Sequence, residues 1–420
     1  MKKILPIVVI ALIAIIIIKA ISGGSDLNSI PDPHFTVDGS LSKQPDTAKT
    51  DRNSVVRFYV ESSGSMNGFF RNGRPTAFKR DVYSIMSYYS DITKDINIMT
   101  NNGSVAGKMT LANFQSAMNI GALQSNASTQ VPVMLSTIIS QLKKGEVAVL
   151  ISDMKYSPVG SLAPDVLLTQ YGADVARIAG ASGKAFSLIC ATSNYVDKSG
   201  EDVTKRSPYY YLLIGDQDKL SYIRNGISSL LEKGKTYVDN LDFGYHYGSI
   251  PYSFGIPKNA IQYNNQPTFY GYDESLGACT ITLKLHLAAY RWLVAEKEVV
   301  QKYFTVKSLY GSKVKITGVD IQTNNFTNQK LERSAIATIK LSVNNMPTEM
   351  DVLEWNLKIP DATEAAYIGS FLGGKSENDV TKSYSIDNFI VGIQQGGVVN
   401  KQPDPNFILI TKNNIYPSSG

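Results

Sequence analysis

Between residues 55 and 231 the apolar residues keep changing period, and that change limits the chain to few folds. Residues 55–60, 96–99, 147–151, 186–191 and 209–214 are short, nearly unbroken apolar runs. Between them apolar side chains recur three and four apart. Phe78, Val82, Ile85, Met86 and Tyr89 form one such series, and Val131, Leu135, Ile138, Ile139 and Leu142 another. A further helical segment runs from about Val166 to Ile178, and Leu220, Ile223, Ile227, Leu230 and Leu231 complete the set. Unbroken runs are strands covered on both faces, and the 3.6-residue period marks the amphipathic helices that cover them. The order predicts an α/β domain over residues 54–233, with a doubly wound, mainly parallel sheet.

After Gly234 the texture changes. Residues 234–276 are rich in tyrosine and glycine, with Tyr245, Tyr247, Tyr252, Tyr263, Tyr270 and Tyr272, and show little periodicity. They read as a connector whose tyrosines either pack between domains or offer stacking faces to a ligand. Beyond Gly277 the apolar period becomes two. Ile281, Leu283, Leu285 and Leu287 alternate with Thr282, Lys284 and His286, which puts His286 on a polar face. The pattern returns in Ala337, Ile339, Leu341 and Val343, and in Leu353, Trp355, Leu357 and Ile359. An antiparallel β-sandwich of immunoglobulin-like type is expected over 277–420.

The amino terminus carries a different signal. Lys2 and Lys3 precede an unbroken apolar run over residues 4–18, and Lys19 follows it. Counted to Ile21 the run is about 18 residues, roughly 27 Å of helix, which just crosses a bilayer. A transmembrane anchor over 1–21 is the expectation, with a cleaved signal sequence as the alternative; no Ala-x-Ala site follows. No cysteine follows to take a lipid. The flanking lysines predict a cytoplasmic N-terminus and an extracytoplasmic bulk, periplasmic or cell-surface. Residues 22–53, with Pro31, Pro33 and Pro45 among polar residues, read as a flexible linker.

With 41 basic and 36 acidic residues the net charge is +5, and there is no long basic run, so nucleic acid is not an expected partner. Cys190 and Cys279 are the only cysteines and both sit in apolar runs. They are expected as buried free thiols.

The chemistry gathers where the first strand ends. Glu61-Ser62-Ser63-Gly64-Ser65-Met66 places a carboxylate and hydroxyls at a carboxyl-end sheet edge, where ligands bind in such folds. Five of these six positions match the Asp-x-Ser-Gly-Ser-Met motif, and over residues 54–233 the chain resembles the von Willebrand factor type A (vWA) family. The resemblance implies a vWA/Rossmann-like sheet and a metal-ion-dependent adhesion site. It also calls for a threonine on a later loop and an aspartate after a central strand, which Thr129 and Asp153 match. Ser63, Ser65 and Thr129 would then hold Mg²⁺ or Mn²⁺ directly, with Glu61 and Asp153 acting largely through water. The partner implied is a protein that presents a carboxylate to the cation.

Glu61 departs from the family pattern by one methylene, so it is either an adapted ligand or a plug in the open coordination position. A Ser/Gly turn without metal is the plainer alternative. Arg71 and Arg74, in the 67–75 insertion, either flank the cation and attract an anionic partner or belong to a solvated loop. Ser63 and Ser65 lack a histidine nearby in sequence, since only His34, His246 and His286 occur, so a catalytic triad is not expected. Three functions remain in view. They are partner binding through a metal face, a metal-free scaffold, and, last, a metal-dependent envelope hydrolase.

Overall fold

The computed structural model describes residues 35–36, 55–100, 103–157, 163–246, 248–250, 252–255, 260–263, 266–287, 297–323, 335–359 and 373–412. The expected anchor and linker lie outside them, apart from a two-residue strand, Phe35–Thr36 (β1). Among the described residues no helix is long and apolar enough to cross a membrane.

One sheet contains Val55–Glu61 (β2), Thr93–Met99 (β3), Val105–Met109 (β4), Glu146–Ser152 (β5), Ala185–Val196 (β6), Asp202–Gly215 (β7) and Tyr237–Phe243 (β8). Their spatial order is β4-β3-β2-β5-β7-β6-β8. Every residue of β5 is buried, as an unbroken apolar run requires. One face carries Val56, Phe58 and Val60 under three helices, Ala77–Tyr88 (α1), Leu111–Asn119 (α2) and Gln217–Lys233 (α5). The other carries Tyr59, Ala148, Leu150 and Leu188 under Val131–Gln141 (α3) and Pro164–Ser182 (α4). Helices on both faces make this a three-layer α/β unit.

The central strands β3, β2 and β5 are parallel, as the sequence pattern predicts. The flanks are antiparallel: β4 on β3, β7 on β5, and β6 on β7 and β8. The expected doubly wound, mainly parallel sheet is parallel at its centre and antiparallel at its flanks. On the β6–β8 side the cause is local. Asp197 accepts hydrogen bonds from the Ser199 hydroxyl (2.6 Å) and the Glu201 amide (3.0 Å), and Gly200 takes φ +91°. That tight turn folds β6 back into β7 as a hairpin, and a hairpin can only be antiparallel.

The second half forms two further sheets of five strands each. Tyr252–Phe254 (β9), Ala278–His286 (β12), Lys313–Thr323 (β14) and Ala335–Asn344 (β15) join β1 in the order β1-β9-β12-β15-β14. Ala260–Tyr263 (β10), Gln266–Phe269 (β11), Phe304–Ser308 (β13), which follows the helix Lys297–Tyr303 (α6), Met350–Leu357 (β16) and Asn406–Thr411 (β19) make the other, in the order β10-β11-β19-β16-β13. Pairing is antiparallel except for β1 on β9 and β11 on β19. Ile281, Leu283, Leu285 and Leu341 of the first sheet share one core with Leu353, Trp355, Leu357 and Ile408 of the second. The side chain of His286 lies outside the described residues.

The 234–276 stretch belongs to both halves: β8 closes the α/β sheet, and β9 to β11 enter the other sheets. Its tyrosines pack. Tyr245 is buried in the α/β core, and Tyr252 and Tyr272 in the other. Cys190 and Cys279 are free and buried.

The chain also returns. Between β16 and β19 lie the two-residue strands Gly373–Gly374 (β17) and Ser383–Tyr384 (β18), which pair in parallel, and the helix Ile386–Gln395 (α7). Ile386, Phe389, Ile390 and Ile393 of α7 are fully buried in the α/β core beside α4. The two helices meet on glycines. A Cβ at Gly180 would stand 2.5 Å from the Gly396 carbonyl oxygen, and one at Gly392 2.7 Å from that of Gly172. Asn400 then ties the exit to β8, donating to the Asp242 carbonyl (2.7 Å) and accepting from the Tyr245 amide (2.9 Å).

Candidate metal centre

Because β2 and β5 are parallel neighbours, their carboxyl ends open on the same sheet edge. Glu61 ends β2, and Asp153 directly follows β5. The motif loop is tied down beside them. The Ser62 amide donates to the Met99 carbonyl (2.9 Å) and the Gly64 amide to the Ala127 carbonyl (2.9 Å). The Asn67 side chain spans Ser125, accepting from its amide (2.8 Å) and donating to its carbonyl (2.7 Å). These contacts bring the 123–129 loop, with Thr129, onto the motif.

All five residues singled out from the sequence meet there. Thr129 Oγ1 donates to Glu61 Oε1 at 2.6 Å. The Ser63 and Ser65 hydroxyls are 3.1 Å apart, and they lie close enough to the carboxyls to act on their titration, Ser63 on Glu61 and Ser65 on Asp153. Glu61, Ser63, Thr129 and Asp153 are buried, while Ser65 is half-buried, so the cluster meets solvent on the Gly64–Ser65 side.

Sequence reasoning missed Ser152. Its hydroxyl donates to Glu61 Oε2 and accepts from the Met154 amide (2.7 Å). Met154 takes a left-handed φ of +55°. The only mark of Ser152 in the sequence is its position, closing the apolar run 147–151 one residue before the aspartate. Glu61 thus uses its extra methylene, spanning from Thr129 on one side to Ser152 on the other, and each carboxylate oxygen keeps a lone pair.

Burial raises both carboxyl groups. Glu61 is pushed up to about 7, first by burial and then by the charge of Asp153, although the Ser152, Thr129 and Ser63 hydroxyls pull it down. Asp153 is also raised by burial, against the pull of the Lys155 ammonium and the Ser65 hydroxyl. Two buried acids sharing one site favour a bound proton or a bound cation.

Three hydroxyls and two carboxylates are the oxygen donors a small hard cation takes. A hydroxyl that donates to a carboxylate still has lone pairs for a metal. The hydroxyl oxygens of Ser128, next to Thr129, and of Tyr171, whose titration feels the charge of Glu61, are buried without a partner among the described residues. Such orphans suit a site completed by water. No group of three or more histidine, cysteine, aspartate or glutamate side chains gathers among the described residues. The cluster does not need one, since most of its donors are hydroxyls.

Arg71 reaches the Val196 carbonyl with two nitrogens at 3.4 Å each, and lines a cleft of about 480 Å³ with Gly64, Asn67, Gln124, Tyr195 and Lys198. Arg74 is exposed, and its carbonyl accepts from Lys79 Nζ at 3.0 Å. His246 is exposed, 3.4 Å from Asp404. No known protein family, curated protein or solved structure matches the chain.

Proposed function

We propose that the chain is a membrane-anchored, extracytoplasmic binding protein, and that its α/β unit is a vWA-like domain. In this reading the domain captures a protein partner through Mg²⁺ or Mn²⁺. Ser63, Ser65 and Thr129 are the direct ligands, while Glu61 and Asp153 act mainly through water. The partner supplies a carboxylate at the open position beside Ser65. The immunoglobulin-like sandwich serves as a further extracytoplasmic module. Anchor and orientation rest on the lysines and the apolar run at the amino terminus.

One observation carries the reading: Glu61, Thr129, the Ser63–Ser65 pair and Asp153 converge on a single sheet edge, where the Thr129 and Ser152 hydroxyls donate to Glu61, the Ser63 and Ser65 hydroxyls are paired, and the charge of Asp153 acts on Glu61. Glu61 is an adapted ligand here, because both its oxygens orient hydroxyls, Thr129 among them. Binding rather than catalysis follows from the chemistry, since both carboxylates serve the cation and neither is left as an independent acid or base.

The test is capture from an envelope extract on the immobilised protein with Mg²⁺. Partners should be released by chelator and absent from an Asp153→Ala column. Equal retention on both columns, with or without chelator, would leave the metal-free scaffold as the better reading.

A further inference from the structure

The Asp153 loop is held by residues that come from the other half of the chain. Lys155 is buried, and its ammonium donates to the carbonyls of Glu377 (2.8 Å) and Asp379 (3.1 Å). Ser157 Oγ donates to the Glu377 carboxylate at 2.8 Å. Ser383, fully buried, donates to the carbonyl of Asp153 itself at 3.3 Å, and buried Ser207 on β7 donates to the Val380 carbonyl at 2.6 Å.

The segment is shaped for this. The β17–β18 pair closes its base, and the Asp379 carboxylate accepts from the Thr381 amide (2.8 Å) and hydroxyl (2.6 Å), which turns the carbonyls of the loop toward Lys155. The Lys155 amide in turn donates to Asp153 Oδ1 at 3.2 Å. A chain of contacts therefore runs from the excursion between β16 and β19, through Lys155, to a carboxylate of the candidate site.

We propose that residues 373–385 are a strap and that Lys155, clasped by the Glu377 and Asp379 carbonyls, is a positioning residue for Asp153. Cation binding at the site then depends on the hold of the strap. The inference rests on the metal reading above and adds its regulation.

Two effects of Lys155 have opposite signs. As a neighbouring positive charge it repels a cation, so its removal by electrostatics alone tightens metal binding. As a positioning residue it keeps Asp153 in place, and removal loosens binding, by about 10- to 100-fold if it behaves like other groups that orient metal ligands. Positioning dominates, because an ammonium committed to two carbonyls fixes the backbone turn that aims the carboxylate.

Mn²⁺ titration of the full chain, with amide exchange over 376–384 followed alongside, distinguishes these effects. Lys155→Met should weaken Mn²⁺ binding about tenfold or more, and Lys155→Arg should restore much of it. The paired Ser207→Ala and Ser383→Ala changes, which alter no charge, should also weaken it. By reciprocity Mn²⁺ should slow exchange in the strap of the wild type. Unchanged or tighter Mn²⁺ binding in Lys155→Met and in the double serine variant overturns the strap while leaving the metal reading intact. Absence of Mn²⁺ binding by the wild type overturns both.

Discussion

Shortening Glu61 by one methylene separates the two roles open to it. In the structure Oε1 accepts from Thr129 at 2.6 Å and Oε2 from Ser152, so the carboxylate bridges two elements. Aspartate keeps the charge but cannot span the gap, and one hydroxyl loses its partner. A hydrogen bond to a buried charged group contributes about 1.5–3 kcal/mol. At about 1.4 kcal/mol per tenfold, Glu61→Asp should bind Mg²⁺ roughly 10- to 100-fold more weakly. Titration calorimetry on the two proteins, with thermal melts to confirm folding, measures the difference. Tighter Mg²⁺ binding by Glu61→Asp would refute the adapted ligand and show that glutamate plugs the site.

Other outcomes follow from the same geometry. In the folded chain the Glu61 carboxyl titrates at about 7 rather than 4.5, so the folded state holds its proton to higher pH than the unfolded chain does. Its contribution to metal-free stability is therefore full below about pH 4.5 and lost as pH rises through about 7, a swing of about 3 kcal/mol. Urea midpoints in chelator should fall over that window and do so less in Glu61→Gln; parallel profiles would be inconsistent with the site as described. Gly180→Ala places a methyl against the Gly396 carbonyl oxygen and should cost about 1–3 kcal/mol by prying α7 from α4; an unchanged melting temperature would argue against that seam. Protease added outside the inner membrane should cut beyond the linker, and protection until that membrane is broken would reverse the orientation.

Much of the α/β unit could be read from period alone, because strands covered on both faces leave unbroken apolar runs and their covering helices leave the 3.6-residue repeat. Strand direction could not. The run 209–214 looks the same whether it enters the sheet parallel or antiparallel, and the deciding feature is the five-residue turn from Asp197 to Glu201. That Glu61, Ser63 and Ser65 would sit together was legible from one short motif at a strand end, whereas Thr129 and Asp153 were singled out only through the resemblance to the vWA pattern. Ser152 was not legible, since a lone serine closing a strand carries no family signature. The spacing of Ile386, Phe389, Ile390 and Ile393 is that of a helix, yet nothing in it says that the helix crosses to a core built some two hundred residues earlier. That choice depends on glycine contacts with Gly172 and Gly180, which appear only once both helices are in place.

Mn²⁺ binding to the purified protein, followed by electron paramagnetic resonance, tests the metal centre most directly. The wild type should take up one ion per chain. Asp153→Ala should take up none while melting as a folded protein, because it removes a ligand at the sheet edge and leaves the strands intact. Mn²⁺ that stays wholly free in the presence of the wild type, or binds Asp153→Ala equally well, would contradict a cation held by Ser63, Ser65 and Thr129.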